Sequence, residues 1–202
     1  MKRLCLALLL LLGVAGCHSS VANLGKQAGP IVVLGDSLSF GTGSETRQGY
    51  VAILEARTKA KLINKGVPGD TTGRALLRFQ RDVLDLKPSL LILELGGNDF
   101  LQKVDMDEIF ANLDKMIVQV QAQGGAVLLL GVQGGIFSDK AATRYSELAK
   151  ARQTGFVPNI MDGIMSNPAL KTDALHPNDA GYAKLADRVE PELRWCLSRL
   201  KT

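Results

Sequence analysis

The sequence predicts an α/β protein: a three-layer α/β/α sandwich around a mostly parallel five-stranded sheet. Three observations carry that expectation. After residue 30, short apolar runs alternate with stretches of helical spacing, the pattern of strands joined by covering helices. The strand candidates are apolar nearly throughout, as strands are when both faces of a sheet are covered. Glycine and polar residues gather after the first three runs, where an open parallel sheet offers its ligand crevice. At 202 residues, 46% hydrophobic and 22% charged, the chain suffices for one substantial core and is short for two. The composition excludes a disordered, collagen-like or disulfide-scaffold protein.

The first element is an address. Residues 1–16 run from a basic start (Lys2, Arg3) through an apolar stretch, Leu4 to Ala15, to Gly16 before Cys17. Twelve apolar residues span about 18 Å at 1.5 Å per residue, short of the roughly 30 Å hydrocarbon core, so this reads as a secretory signal and not a membrane span. Val14-Ala15-Gly16-Cys17 resembles a bacterial lipobox. The resemblance implies cleavage before Cys17, acylation of that cysteine, and a lipid-anchored protein of the bacterial envelope. His18 stands where an Asp would suggest inner-membrane retention, so a cell with two membranes is expected to carry the protein on its outer one. Residues 17–29 lack periodicity and are expected as a tether. Losing Lys2 and Arg3 takes the formal charge from +4 to +2. With Cys17 acylated, Cys196 is expected as a small hydrophobe in the last helix.

The body, residues 30–202, is expected as one domain. Strand one is Ile31–Leu34, ending in Gly35-Asp36-Ser37. A helix over roughly Gly49–Ala60 leads to a brief strand at Leu62–Asn64 that ends at Gly66. Leu76, Phe79, Val83 and Leu86 keep helical spacing until Pro88 stops them. Leu90–Leu95 is the strongest strand candidate and ends in Gly96-Gly97-Asn98-Asp99. Asp105 with Glu108 resembles a capping box ahead of a stripe from Met106 to Val120. Ala126–Val132 is the fourth strand, Lys140–Gln153 a helix and Phe156–Ile160 a weaker fifth strand. A final helix after His176-Pro177 runs to about Leu200, kinked or broken at Pro191.

The chemistry rests on residues that mean little one at a time. Ser37 is equally a helix N-cap, and Gly66 and Asn98 are ordinary turn residues. Company changes this. A serine nucleophile needs a base within hydrogen-bond reach, an orienter for that base and donors for the oxyanion. His176 is the one histidine of the body, and Asp173, three residues earlier, shares one face of a turn with it. Asn98 offers a side-chain amide and Gly66 a backbone N–H that permits close approach. Glu94, a carboxylate inside an apolar strand, reads as a buried residue bonded to nearby backbone in preference to a catalytic partner of Asp99. One histidine and no cysteine pair build no metal site, and Gly41-Thr42-Gly43 lacks the third glycine of a dinucleotide fingerprint, so neither metal nor cofactor is expected. No dense basic run suggests nucleic acid.

Gly35-Asp36-Ser37-Leu38, Gly66, Gly97-Asn98-Asp99 and Asp173-x-x-His176 resemble the four blocks of SGNH (GDSL-type) hydrolases, from residue 31 to about 190. Gly69-Asp70-Thr71-Thr72 and Glu94-Leu-Gly-Gly-Asn-Asp99 are similar to the thioesterase I and arylesterase branch, whose members hydrolyse aryl esters, short or medium acyl esters, thioesters and lysophospholipids. The resemblance implies a flavodoxin-like sheet with Ser37 as nucleophile, His176 as base and Asp173 as its orienter. It implies an oxyanion hole from the N–H groups of Ser37 and Gly66 and the side chain of Asn98, with a small-molecule ester as substrate. Ser37 lacks the second glycine of the G-x-S-x-G elbow, so this is another hydrolase architecture. Where branch members carry a proline-containing stretch after strand four, this chain has Gly131-Val-Gln-Gly-Gly135-Ile-Phe-Ser138, which bears on acyl preference. An O-acetylesterase of envelope polysaccharide and a non-catalytic lipid-anchored binding protein are the two other readings of the same residues.

Overall fold

The computed structural model describes residues 20–46, 48–132 and 138–201. Within them, β1 (Ile31–Gly35), β2 (Leu62–Gly66), β3 (Leu90–Glu94), β4 (Ala126–Leu130) and β5 (Gly155–Val157) form one sheet in the order β2-β1-β3-β4-β5. All four pairings are parallel. The register sets Gly35 beside both Gly66 and Glu94, so the ends of β2, β1 and β3 lie level. The strand order reverses between β1 and β3, the place where open parallel sheets leave a crevice.

Successive side chains of a strand face opposite layers, and here both are covered. Val33, Ile92 and Leu128 face α2 (Tyr50–Thr58) and α7 (Asp179–Leu197), packing with Leu54, Tyr182 and Leu185. Val32, Leu91 and Leu129 face α3 (Thr72–Asp82), α5 (Met106–Ala122) and α6 (Ser138–Arg152), with Phe79, Leu113 and Tyr145. Two short helices follow strands directly: α1 (Ser37–Phe40) after β1 and α4 (Gly97–Leu101) after β3. Cys196 is buried in the α7 layer, where burial pushes its thiol up to about 12.

Some expectations change in detail. The fifth strand stops at Val157, because Pro158 has no N–H to extend the ladder. Gly97–Leu101 is a helix and not a plain turn. Helix α7 runs unbroken through Pro191, which is exposed, so water can solvate the Asp187 carbonyl that loses its donor. Residues 20–29 are not a free tether: Val21 and Leu24 pack on the core, and Ala22 N–H donates to Gln153 O at 2.8 Å. Asn23 Nδ2 donates to Gln121 O at 2.7 Å and Gln27 Nε2 to Pro88 O at 2.9 Å. The segment thus crosses the pole where the strands begin. Residues 1–19, with the signal and Cys17, lie outside the described residues, as do residues 133–137 with Gly134 and Gly135.

Candidate active site

Ser37 is the first residue of α1, immediately beyond β1. Asp36 caps that helix, its Oδ1 accepting from Leu38 N at 2.9 Å. The close turn requires Gly35 to be bare, since a Cβ there would lie 2.1 Å from Ser39 Oγ and 2.6 Å from Glu94 Oε2. His176 comes from the far end of the sequence, on a turn closed by the antiparallel bridge Lys171–Pro177 and tied to the loop after α1 by Thr172 Oγ1 donating to Gly43 O at 2.6 Å.

These elements bring His176 Nε2 to 3.1 Å from Ser37 Oγ and His176 Nδ1 to 2.8 Å from Asp173 Oδ2. Asp173 Oδ1 accepts from the N–H groups of Leu175 and His176, both at 2.8 Å, which fixes the carboxylate from behind. The His176 ring, then those two N–H groups, hold the Asp173 carboxyl down to about 2, so it is anionic wherever the protein is folded near neutrality. With Nδ1–H donating to Asp173, the Nε2 lone pair faces the Ser37 hydroxyl. Hydroxyl, imidazole and carboxylate in this chain are the parts of nucleophilic acyl transfer.

Asn98, second residue of α4, donates from Nδ2 to Asp36 Oδ2 and to Asp70 O, both at 3.0 Å. Its amide therefore stands between the loops after β1 and β2. Burial lifts the Asp36 carboxyl to about 6, against the pull of Leu38 N–H, His176 and Asn98.

Gly66 reaches this end of the sheet, but its N–H is already given to Asn64 Oδ1 at 2.9 Å. The next glycine is placed differently. Val67-Pro68-Gly69-Asp70 is a turn closed by Asp70 N–H donating to Val67 O at 3.1 Å, with Pro at its second position and Gly69 at φ +80° in its third. Among the described residues, nothing accepts from the N–H of Gly69 or from that of Ser37. The Pro68-Gly69 pair was the available sequence signal for that free N–H.

Two buried carboxylates brace the site. Asp99 accepts from Thr72 N and from Thr72 Oγ1 at 2.6 Å, locking α4 to the start of α3, and it does not meet Glu94 as a catalytic pair would. Glu94 accepts from Ser39 Oγ at 2.8 Å and Asp36 N at 3.4 Å, close to the structural reading of its sequence position. It is fully buried, and desolvation, then the nearby Asp36, raises its pKa well above the ordinary 4.5, which favours the neutral form.

That neutrality has a measurable sign. In the unfolded chain Glu94 ionises near 4.5, so above that pH the folded chain holds one proton more and stability falls as pH rises. Between about pH 7 and 8, where Asp36 is largely ionised in both states, the contribution is about 1.4 kcal/mol per pH unit while Glu94 stays protonated. Glu94→Gln removes the slope. Urea melts should show the variant gaining on the wild type across that window, and parallel curves would refute a neutral Glu94.

Comparison with known proteins gives the same result from sequence and from shape. A model of the GDSL-like Lipase/Acylhydrolase family matches residues 33–184. The chain is 31% identical over 193 residues to Esterase TesA of Pseudomonas aeruginosa, covering 90% of this chain and 96% of that protein. A crystal structure of TesA superposes with a TM-score of 0.77 over 83% of this chain and 99% of its own. An arylesterase of Vibrio mimicus is 30% identical over 188 residues, 88% of this chain and 92% of that one. Over 106 residues, 49% of this chain and 41% of the other, it is 38% identical to the uncharacterized lipoprotein YqeF of Bacillus subtilis.

Proposed function

The chain belongs to the GDSL-like lipase/acylhydrolase family and is a carboxylic ester hydrolase, and on that premise we propose that Ser37 is its nucleophile, His176 its general base and Asp173 the residue that orients the imidazole. The observation carrying this reading is the continuous hydrogen-bonded chain from Ser37 Oγ through His176 to Asp173 at the crevice of the sheet. His176 Nε2 takes the proton as Ser37 Oγ attacks the ester carbonyl. The imidazolium, stabilised by anionic Asp173, returns that proton to the leaving alcohol as the C–O bond breaks. Water then repeats the sequence on the acyl-enzyme, releasing the acid and restoring Ser37.

For the oxyanion we propose the N–H groups of Ser37 and Gly69 with Asn98 Nδ2, replacing Gly66, whose N–H is committed to Asn64. Asn98 meets the oxyanion by sharing the N–H now directed at Asp36. Fixed donors aimed where charge develops supply much of the rate enhancement in such sites.

The substrates we place first are aryl esters and short- or medium-chain acyl esters; acyl thioesters and lysophospholipids present the same carbonyl. An apolar rim supports this. Phe40 is 58% exposed at the end of α1, Val67 37% exposed after β2, and Leu175 41% exposed beside His176. Such a rim suits a hydrocarbon chain better than an acetylated sugar. The lipobox-like residues 14–17 and the lipoprotein relative support acylation of Cys17 and an envelope location, with the outer membrane as the expected site where two membranes exist. Among the described residues no helix is long and apolar enough to cross a membrane.

A series of p-nitrophenyl esters from acetate to palmitate tests the substrate reading. Hydrolysis that depends on Ser37 and peaks at short or medium chains is the expected result. Cleavage of acetate alone would hand the site to O-acetyl glycans, and no Ser37-dependent hydrolysis would end the mechanism.

A further inference from the structure

The parallel topology gives the molecule two unlike poles. Ser37, Gly69, Asn98 and His176 lie where the strands end, and residues 20–29 cross the pole where they begin. At that second pole the fold gathers exposed cations scattered through the sequence: Lys26, Lys59, Lys61, Lys87, Arg199 and Lys201. Lys61 and Lys87 stand just ahead of β2 and β3, and Lys201 Nζ donates to Lys26 O at 3.0 Å, joining the two ends of the described chain. Among the described residues, none of the six is in an ion pair. Lys59 and Lys87 cap the C-termini of α2 and of the 3-10 turn Leu84–Leu86, and Arg199 Nη1 donates to Trp195 O in the last turn of α7, whereas Lys26, Lys61 and Lys201 cap no helix, so complementing helix dipoles accounts for only half of the cluster. The acidic groups at this end are Glu55, Asp85 and Glu192, beside Asp82, Asp114, Asp187 and Glu190, each of these four held by arginine. At the other pole the charges are mixed: Asp105, Glu108, Asp139 and Asp179 begin helices and Asp173 flanks the site, beside the exposed cations Arg74, Lys103 and Lys140.

Position and charge agree on one occupant. Two residues separate Cys17 from residue 20, a reach of about 10 Å at most. An acyl chain on Cys17 would hold the basic pole at the headgroups, and lysines and arginines close to a bilayer are drawn to anionic lipid. Helix α7 connects the poles: its 19 residues, about 28 Å long, start two residues beyond Pro177 and end just before Arg199.

We propose that this basic pole docks on the anionic headgroups of the membrane in which acylated Cys17 is anchored, so that the Ser37 site faces away and takes its esters from the aqueous side, not from the anchoring bilayer. This rests on the acylation reading above. The exposed Asp173 carboxylate beside Ser37 opposes the reverse orientation, in which the apolar rim of Phe40, Val67 and Leu175 would meet the lipid.

Trp195, the single tryptophan, lies one turn from Arg199, which stacks on its ring at 4.3 Å, and serves as a built-in reporter. The experiment uses the full chain matured in cells and reconstituted on vesicles of phosphatidylglycerol and phosphatidylcholine in equal parts, or of phosphatidylcholine alone. Mass spectrometry of the Cys17 peptide comes first, and an unmodified cysteine overturns the acylation reading itself. On acylated protein, nitroxide headgroups should quench Trp195 strongly on anionic vesicles and leave a phosphonate dye on Ser37 nearly untouched. Lys59→Glu/Lys61→Glu/Lys87→Glu should lower Trp195 quenching severalfold on anionic vesicles, with turnover of a soluble ester unchanged. Quenching of the Ser37 dye equal to that of Trp195, or a triple variant quenched like the parent, overturns the orientation while acylation stands. Duplex DNA that abolishes Trp195 quenching on anionic vesicles at stoichiometric amounts, with the protein still anchored, would also overturn it, assigning the pole to nucleic acid.

Discussion

Ser37→Ala is expected to lose about a factor of 10⁶ in kcat, together with the burst of alcohol release that marks an acyl-enzyme. The size follows from how the groups act. Without the hydroxyl there is nothing for His176 Nε2 to deprotonate at 3.1 Å, and what remains is binding and the oxyanion donors. His176→Ala should cost nearly as much, and the double variant little more than either, because the pair works as one unit. Asp173→Asn separates position from charge. Its oxygen can keep accepting from Leu175 and His176 N–H, so the turn survives, but an NH2 group then faces Nδ1 and holds the ring in the wrong tautomer. A loss of about 10⁴ is expected. Thermal melts within about 0.5 kcal/mol of the parent for Ser37→Ala would show that chemistry and not folding was removed. Full activity in Ser37→Ala would end the assignment.

The architecture was open to sequence reading because parallel strands buried on both faces write themselves as apolar runs. Leu90–Glu94 and Ala126–Leu130 are such runs, and both are completely buried. Where tertiary contacts decide, the sequence was less informative. Gly97–Leu101 carries turn residues yet is helical, with Asn98 held by Asp36 and Asp70 and Asp99 by Thr72, partners 27 to 62 positions away. Gly66 and Gly69 look alike in a string, and the difference lies in the Asn64 side chain that occupies one N–H and the Pro68 turn that frees the other. Residues 20–29 have no periodicity because they fold on the strand ends through single contacts such as Asn23 and Gln27. The basic pole was invisible for another reason: Lys26, Lys61, Lys87 and Lys201 are far apart in the chain, and only a sheet whose strands all start on one side collects them.

Asn98→Ala should reduce kcat by about 10²–10³, some 2.7–4 kcal/mol of transition-state stabilisation, with KM little changed. A second consequence accompanies the first. Asp36 loses its Asn98 donor, and with less help for the charged form its carboxyl must rise above about 6, so more of it is neutral near pH 7. Measuring kcat near pH 8 as well as near pH 6 separates the two effects. The oxyanion loss persists at both, whereas any part that comes through Asp36 shrinks as it ionises. The same logic distinguishes the backbone donors. Replacing the Gly69 N–H by an ester oxygen through semisynthesis removes one donor and leaves the side chains alone, and a Cβ-free residue is retained at φ +80°. A loss of about 10²–10³ is expected there. The same exchange at Gly66 breaks only the bond to Asn64 Oδ1 and should show mainly as destabilisation of about 1 kcal/mol. If position 66 carries the kinetic loss and position 69 does not, the Gly66 N–H must leave Asn64 when substrate binds, and the oxyanion hole returns to Gly66.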